Sequence, residues 1–334
     1  MHVRRRSALQ FLWLAAVLGA LAACAVNPDL PQGYAIVYGV SEYASVSDLD
    51  QPDDDAFAIT ALLEDQGFVV IGGPRVNAQA TKANLLADFA VAAASADSES
   101  RFFFYFAGHG YGQGMEPYYG TPPFSQEWAD YLATLEGTEA GSGRDGAPTF
   151  LFLHEADPFS NVELTIEESI TNDELASLLA TVPSRHQIVV IDACHSGGFI
   201  GADGAHDAVP SSYGGSGGGI TFFDALDAAT LYLDYAPLAL GDGRQATVLA
   251  ASGAREFSYE GDFMGFKNGV FTHYFLQTPF AADRDYDGYV TVTEAYAYAS
   301  AAIASEVNHR LTGDAKFLPR VSGGAMDFVL FETR

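Results

Sequence analysis

The sequence predicts an α/β protein whose mainly parallel sheet is covered by helices on both faces. Three observations point there. Short runs rich in β-branched and aromatic residues alternate along the chain with helical patterns, the layout of successive βα units. Two of those runs, 102–106 and 187–191, are almost continuously apolar, as strands buried on both faces must be. Each of the two also stops at a reactive side chain, one at His109-Gly110 and the other at Asp192-Ala193-Cys194. Parallel neighbours would bring both ends to the carboxyl edge of the sheet, where open α/β folds keep their sites.

In chain order, strands are expected at 34–40, 68–71, 102–106, 187–191, 247–251 and 327–331, with helices at 54–66, 82–96, 172–182, 268–277 and 293–310. The first helix opens on Asp54 and Asp55, acids favoured near the positive end of a helix dipole. Thr171 and Glu174 stand at capping-box spacing and mark the start of the 172–182 helix. Two irregular segments interrupt the alternation. Residues 111–148, rich in Gly, Pro, Tyr and Trp, follow the histidine directly. Residues 197–219 follow the cysteine and carry a glycine-rich stretch at 214–219. Loops at the functional edge of a rigid sheet form clefts.

The start of the chain stands apart. Arg4-Arg5-Arg6 is a basic region, and the apolar run from Phe11 to Ala23 has the length of a secretory signal, short of a membrane span. It ends Leu21-Ala-Ala-Cys24, which resembles a bacterial lipoprotein box cleaved before a lipidated cysteine. The expected organisation is a signal peptide over 1–23, a lipidated tether over 24–33 and one domain over 34–334. With Cys24 carrying lipid, Cys194 is left as the sole free thiol of a chain that has two cysteines. No intramolecular disulfide is then expected, although an exporting compartment would permit one. The formal net charge of −27 becomes more negative still once the three arginines leave, which argues against nucleic-acid binding.

A thiol and an imidazole at one sheet edge make a nucleophile–base pair, the base raising the thiolate fraction that a free cysteine supplies poorly at neutral pH. With these blocks the chain resembles the caspase-like cysteine peptidases (peptidase C14), most closely the bacterial metacaspase-type branch. Further likeness lies in Tyr34–Tyr43, in Pro52-Asp-Asp-Asp55-Ala56 through Gly67-Phe68, in Ala251–Glu260 and in Gly269–Phe275. The resemblance implies a caspase-hemoglobinase-like three-layer sandwich with a six-stranded sheet. It also implies a cysteine endopeptidase with a His109–Cys194 dyad, whose oxyanion hole is the N–H groups of Gly110 and Cys194. In metacaspase-like enzymes the residues matching Asp55 and Asp192 line the primary specificity pocket; a carboxylate pair there would suit a substrate Arg or Lys. The chain departs from that pattern at Pro52, where a cysteine is common, and at Ala107, where a serine is common. Arg144 and Arg244 are candidate self-processing positions.

A second motif is independent of the first. Asp283, Asp285, Asp287, Gly288, Thr291 and Glu294 fit a twelve-residue EF-hand loop over 283–294, with Tyr289 lending its backbone carbonyl. The expected cofactor is therefore calcium, in a structural role, with no organic cofactor. Pro279 spoils a regular helix leading into the loop. The partners expected are a protein or peptide with a basic residue before the scissile bond and, through the acyl anchor, a lipid bilayer. Ala25 and Val26 lack the aspartate of inner-membrane retention, which leans toward the outer membrane of a Gram-negative cell. The alternatives are a catalytically silent scaffold lipoprotein on the same fold, or a transpeptidase or ligase using the same thiol.

Overall fold

The computed structural model describes residues 30–112, 126–135, 149–193, 238–240, 243–252, 258, 260–311, 317, 319–322 and 328–334. The signal segment 1–23, Cys24, Arg144 and Cys194 lie outside them.

The strands of the main sheet are β1 (Gly33–Gly39), β2 (Phe68–Val70), β3 (Arg75–Val76), β4 (Arg101–Gly108), β8 (His186–Ala193), β9 (Leu238–Ala239), β10 (Gln245–Ala250) and β12 (Arg320–Val321). A three-stranded antiparallel sheet holds β5 (Gly110–Gly112), β6 (Thr149–Phe152) and β7 (Ser169–Thr171). A two-stranded one pairs β11 (Tyr289–Thr291) with β13 (Val329–Glu332). The main sheet runs β12-β10-β8-β4-β1-β2, parallel from β10 to β2, with β3 beside β1 and β9 beside β10. The expected path of six strands is present, but its sixth member is not the run at 327–331. That run becomes β13 and leaves the main sheet, whose edge is taken by the two residues of β12, antiparallel to β10.

The aromatic run of β4 explains the two faces. Phe102, Phe104 and Phe106 point to one side, where they join Phe89 of α2 (Lys82–Ser95) and Leu175 and Leu179 of α5 (Asn172–Thr181). Phe103 and Tyr105 point to the other, among Ile59 and Leu63 of α1 (Pro52–Asp65), Phe271 and Phe275 of α6 (Val270–Phe275) and Tyr296 of α8 (Val292–Ala302). A strand covered on both faces has no polar side to show, hence the unbroken apolar sequence. At the amino end of the sheet the buried Arg101 guanidinium donates to the carbonyls of Pro31 and Leu330, tying the two ends of the described chain together. Desolvation brings that guanidinium down to about 10.

The irregular segment after His109 contains more order than its composition suggests. Trp128 of α3 (Gln126–Leu135) is fully buried and meets the rings of Tyr111, Phe150 and Phe152. The helix start at Thr171 is half of a capping box. Its hydroxyl accepts from the Glu174 N–H at 3.1 Å, but the Glu174 carboxylate pairs with Lys82 instead of returning to the cap. The full reciprocal box occurs at Thr291 and Glu294, where α8 begins.

Candidate active site

Strands β4 and β8 run side by side in register from Arg101↔His186 to Gly108↔Ala193. In the sequence, the residue after β4 is His109 and the residue after β8 is Cys194. Gly108 takes φ +153°, a backbone region that side chains disfavour, and a Cβ there would lie 2.6 Å from the Tyr43 hydroxyl oxygen. The turn at Gly108 therefore needs glycine, and it sets the direction in which His109 leaves the strand.

His109 is held on several sides. Its N–H donates to Tyr43 Oη at 2.7 Å, and its carbonyl accepts the Phe152 N–H at 3.0 Å. The imidazole Nε2 lies 2.7 Å from the Ser47 carbonyl, and the Tyr43 ring covers the imidazole at 4.8 Å between centroids. A carbonyl only accepts, so Nε2 carries the proton and Nδ1 is the nitrogen left to receive one. Burial pushes the imidazole's proton affinity down, while the Ser47 carbonyl and the Asp48 charge oppose that shift. Gly110, half-buried, opens β5 opposite Leu151.

The alternation of β8 sends Asp192 to the face covered by α1 and α6, and Asp55 comes from the first turn of α1. Both are buried. Asp55 Oδ1 accepts from Asn268 Nδ2 at 2.8 Å, and both its oxygens receive the Gly269 N–H, at 3.1 and 3.2 Å. Asp192 Oδ1 accepts from Ser258 Oγ at 2.6 Å, and Oδ2 from the Thr272 N–H at 3.0 Å and the Thr272 hydroxyl at 2.7 Å. That hydroxyl is spent on Asp192, so the Tyr105 hydroxyl, 2.6 Å away, must donate to it. The two carboxylates flank one backbone position: a Cβ on Gly269 would sit 2.6 Å from Asp192 Oδ2 and 3.0 Å from Asp55 Oδ2. Burial, then the charge of Asp192, raises the proton affinity of Asp55 well above the ordinary carboxylate range; burial also raises that of Asp192.

The acidic loop lies elsewhere, between α7 (Thr278–Ala281) and α8. Pro279 sits in the first turn of that four-residue helix, so no regular helix leads in. One oxygen from each of Asp283, Asp285 and Asp287 lies within 4.8 Å of the others. Asp283 Oδ2 accepts the Gly288 N–H, whereas Asp283 Oδ1 is buried with no hydrogen-bond partner among the described residues. An orphaned carboxylate oxygen beside two more carboxylates is the donor set of a hard cation, and the residues present fit calcium. The Glu294 carboxylate accepts from the Arg284 N–H and from the Thr291 N–H and hydroxyl, closing the loop on itself. Tyr289 and Thr291 are strand residues of β11, paired with Glu332 and Val329.

Arg244, a candidate processing position, is engaged in the fold: its guanidinium donates to the carbonyls of Ala180, Val182 and Ser184 at the end of α5. Several site residues went unread in the sequence. Tyr43, Ser47, Ser258, Asn268, Gly269 and Thr272 meet His109 or the aspartates only through the fold. The one available signal was that five of the six fall inside, or next to, segments whose family likeness had been noted.

The family model for the caspase domain, Peptidase_C14, matches residues 32–284. Among solved structures, a crystal structure of a Geobacter sulfurreducens protein resembles the chain with TM-score 0.52 and 16% identity, over 91% of this chain and 99% of that one. Likeness at that identity speaks to the fold. No curated protein sequence matches.

Proposed function

Because this chain belongs to the caspase-domain peptidases, family C14, whose model matches it over residues 32–284, we propose that it is a cysteine endopeptidase that cleaves after Arg or Lys. The observation that carries the reading is the parallel β4–β8 ladder, which runs to Gly108↔Ala193, the residues that precede His109 and Cys194 in the sequence.

The chemistry follows from that neighbourhood. His109 Nδ1 takes the Cys194 proton, and the thiolate sulfur forms a bond to the scissile carbonyl carbon. The N–H groups of Gly110 and Cys194 receive the oxyanion. The imidazolium returns its proton to the leaving amine, and a water then releases the acyl group and restores the thiol. In the specificity pocket, Asp55 and Asp192 offer two carboxylates whose proton affinity is already raised by burial. An incoming guanidinium or ammonium would stabilise their charged forms, whereas an acidic side chain would add a third negative charge.

Two further parts of the proposal concern place and stability. Residues 1–23 direct export and Cys24 carries the lipid that anchors the protein, in the outer membrane of a Gram-negative source. Calcium binds in the 283–294 loop through Asp283, Asp285 and Asp287, with the Tyr289 carbonyl, Thr291 and Glu294 completing the set, and holds β11 and α8 in place. Its support is the EF-hand spacing together with the orphaned Asp283 Oδ1.

A peptidyl-arginine chloromethyl ketone tests the peptidase directly. Mass spectrometry of the full chain should find the adduct on Cys194, and its aspartyl counterpart should label far more slowly. Labelling absent with both reagents would remove the peptidase reading; faster labelling by the aspartyl reagent would remove the basic pocket.

A further inference from the structure

Resting on the reading of His109 and Cys194 as a dyad, we propose that Tyr43 is a positioning residue for the His109 base, acting from the 43–48 turn through its hydroxyl and its ring. Four contacts make the case. The buried Tyr43 hydroxyl accepts the His109 N–H at 2.7 Å and reaches the Phe152 carbonyl at 3.4 Å. Phe152 in turn donates its own N–H to the His109 carbonyl, so one phenol ties the end of β4 to β6 around the histidine. The Tyr43 ring packs against the imidazole at 4.8 Å between centroids with the planes tilted by 45°. Finally, the only cheap way to bring that hydroxyl so close is a glycine at 108, whose Cβ would otherwise meet it at 2.6 Å.

The same turn also sets the ring's rotation. Ser47 supplies the carbonyl that Nε2 faces, and Asp48 Oδ1 closes the turn by accepting the Tyr43 N–H at 2.9 Å. Tyr43 and Ser47 therefore move as one unit. The phenol fixes the backbone from which the imidazole springs, the carbonyl fixes the edge it presents, and Nδ1 is the nitrogen left to take a proton. A histidine released from this grip keeps its chemistry but loses its aim, and aim is what general-base catalysis depends on most steeply.

The test uses the full chain carrying Cys24→Ala, so that Cys194 is its sole thiol. Tyr43→Phe removes the hydroxyl alone. Tyr38→Phe is the matched control: it also deletes a buried phenol hydroxyl, one that donates to Asp88 at 2.9 Å away from the site. Two quantities are read: the rate of Cys194 alkylation by iodoacetamide across pH, and kcat and KM on an arginyl peptide. Wild type should alkylate well below the pH of an ordinary thiol. In Tyr43→Phe the rate at about pH 6 should fall about tenfold as the thiolate–imidazolium pair loosens. Its kcat should fall about tenfold to a hundredfold, with KM unchanged within about twofold. Tyr38→Phe should move neither. If Tyr43→Phe does not fold, Asp48→Ala, which frees the same turn, should shift both further than Asp48→Asn, which removes the same charge beside the imidazole but keeps an acceptor for the Tyr43 N–H. An ordinary thiol profile in wild type would overturn the dyad and this proposal with it. A wild-type profile left unmoved by Tyr43→Phe, or moved equally by Tyr38→Phe, would overturn the role of Tyr43 while leaving the dyad standing.

Discussion

Asp55 and Asp192 on one side, and Asp283, Asp285 and Asp287 on the other, gather negative charge in opposite ways. The first two are 2% and 7% exposed, and every oxygen receives an N–H or O–H from the protein. The loop triad lies toward the surface, and its one buried oxygen without a protein donor is Asp283 Oδ1. Burial sets the first pair's response: desolvation raises the proton affinity of both, and the Asp192 charge adds to the rise at Asp55. The carboxylates of the loop, gathered toward water, suit a small hydrated ion. The buried pair suits a side chain that brings its own apolar stem. In the proposed function, the same residue type, differently wrapped, would serve recognition in one place and ion binding in the other.

The sharpest test of that division exchanges charge for shape. Asp192→Asn and Asp55→Asn keep an acceptor but lose the charge, and kcat/KM on arginyl peptides should fall about a hundredfold. Asp283→Asn should leave it within about twofold, as a surface site far from the chemistry would. A comparable loss in Asp283→Asn would erase the distinction. Next in size, Gly269→Ala places a methyl between the buried carboxylates, 2.6 and 3.0 Å from their oxygens. Arginyl cleavage should drop about tenfold, while stability falls by the overpacking cost of about 1–3 kcal/mol, read as a lower thermal midpoint.

Calcium should do the reverse. At about a hundred times its dissociation constant it stabilises by about 2.7 kcal/mol, which raises the midpoint of a chain this size by roughly 5 °C. Asp283→Asn should abolish that rise without altering the preference for Arg over Asp. A differential scan with calcium and with chelator reads both variants. The smallest effect is on pH. Because the folded pair binds protons above the ordinary carboxylate value of 3.8, its contribution to stability is full below that value and is lost as pH rises through the raised one. Binding of a cationic side chain runs the other way. KM for arginyl peptides should fall as the pH climbs above the ordinary carboxylate range, and Asp55→Asn should flatten that slope.

What the sequence disclosed depended on whether a feature was local. The unbroken aromatic run of 102–106 announced a strand buried twice, and its stop at His109 announced the edge of the sheet. The family resemblance paired Asp192 with Asp55, and the fold brings the two carboxylates to either side of Gly269. The misreadings were of pairing and of distance. The apolar run at 327–331 has the composition of a core strand, but only its partner, β11, decides which sheet it joins. Two residues, Arg320 and Val321, are too short a signal for the true edge. Arg244 looked free in a glycine-rich context because nothing in its neighbours reveals the three carbonyls of a helix end some sixty residues away. Gly269 is a small residue whose reason, the two carboxylates beside it, exists only in three dimensions.

Hydrolysis of fluorogenic peptides with Arg, Lys or Asp before the scissile bond, by the full chain beside Cys194→Ala, tests the central claim most directly. The account predicts turnover of the Arg and Lys peptides, none of the Asp peptide, and complete loss in Cys194→Ala. Turnover that survives Cys194→Ala, or that favours the Asp peptide, would contradict it.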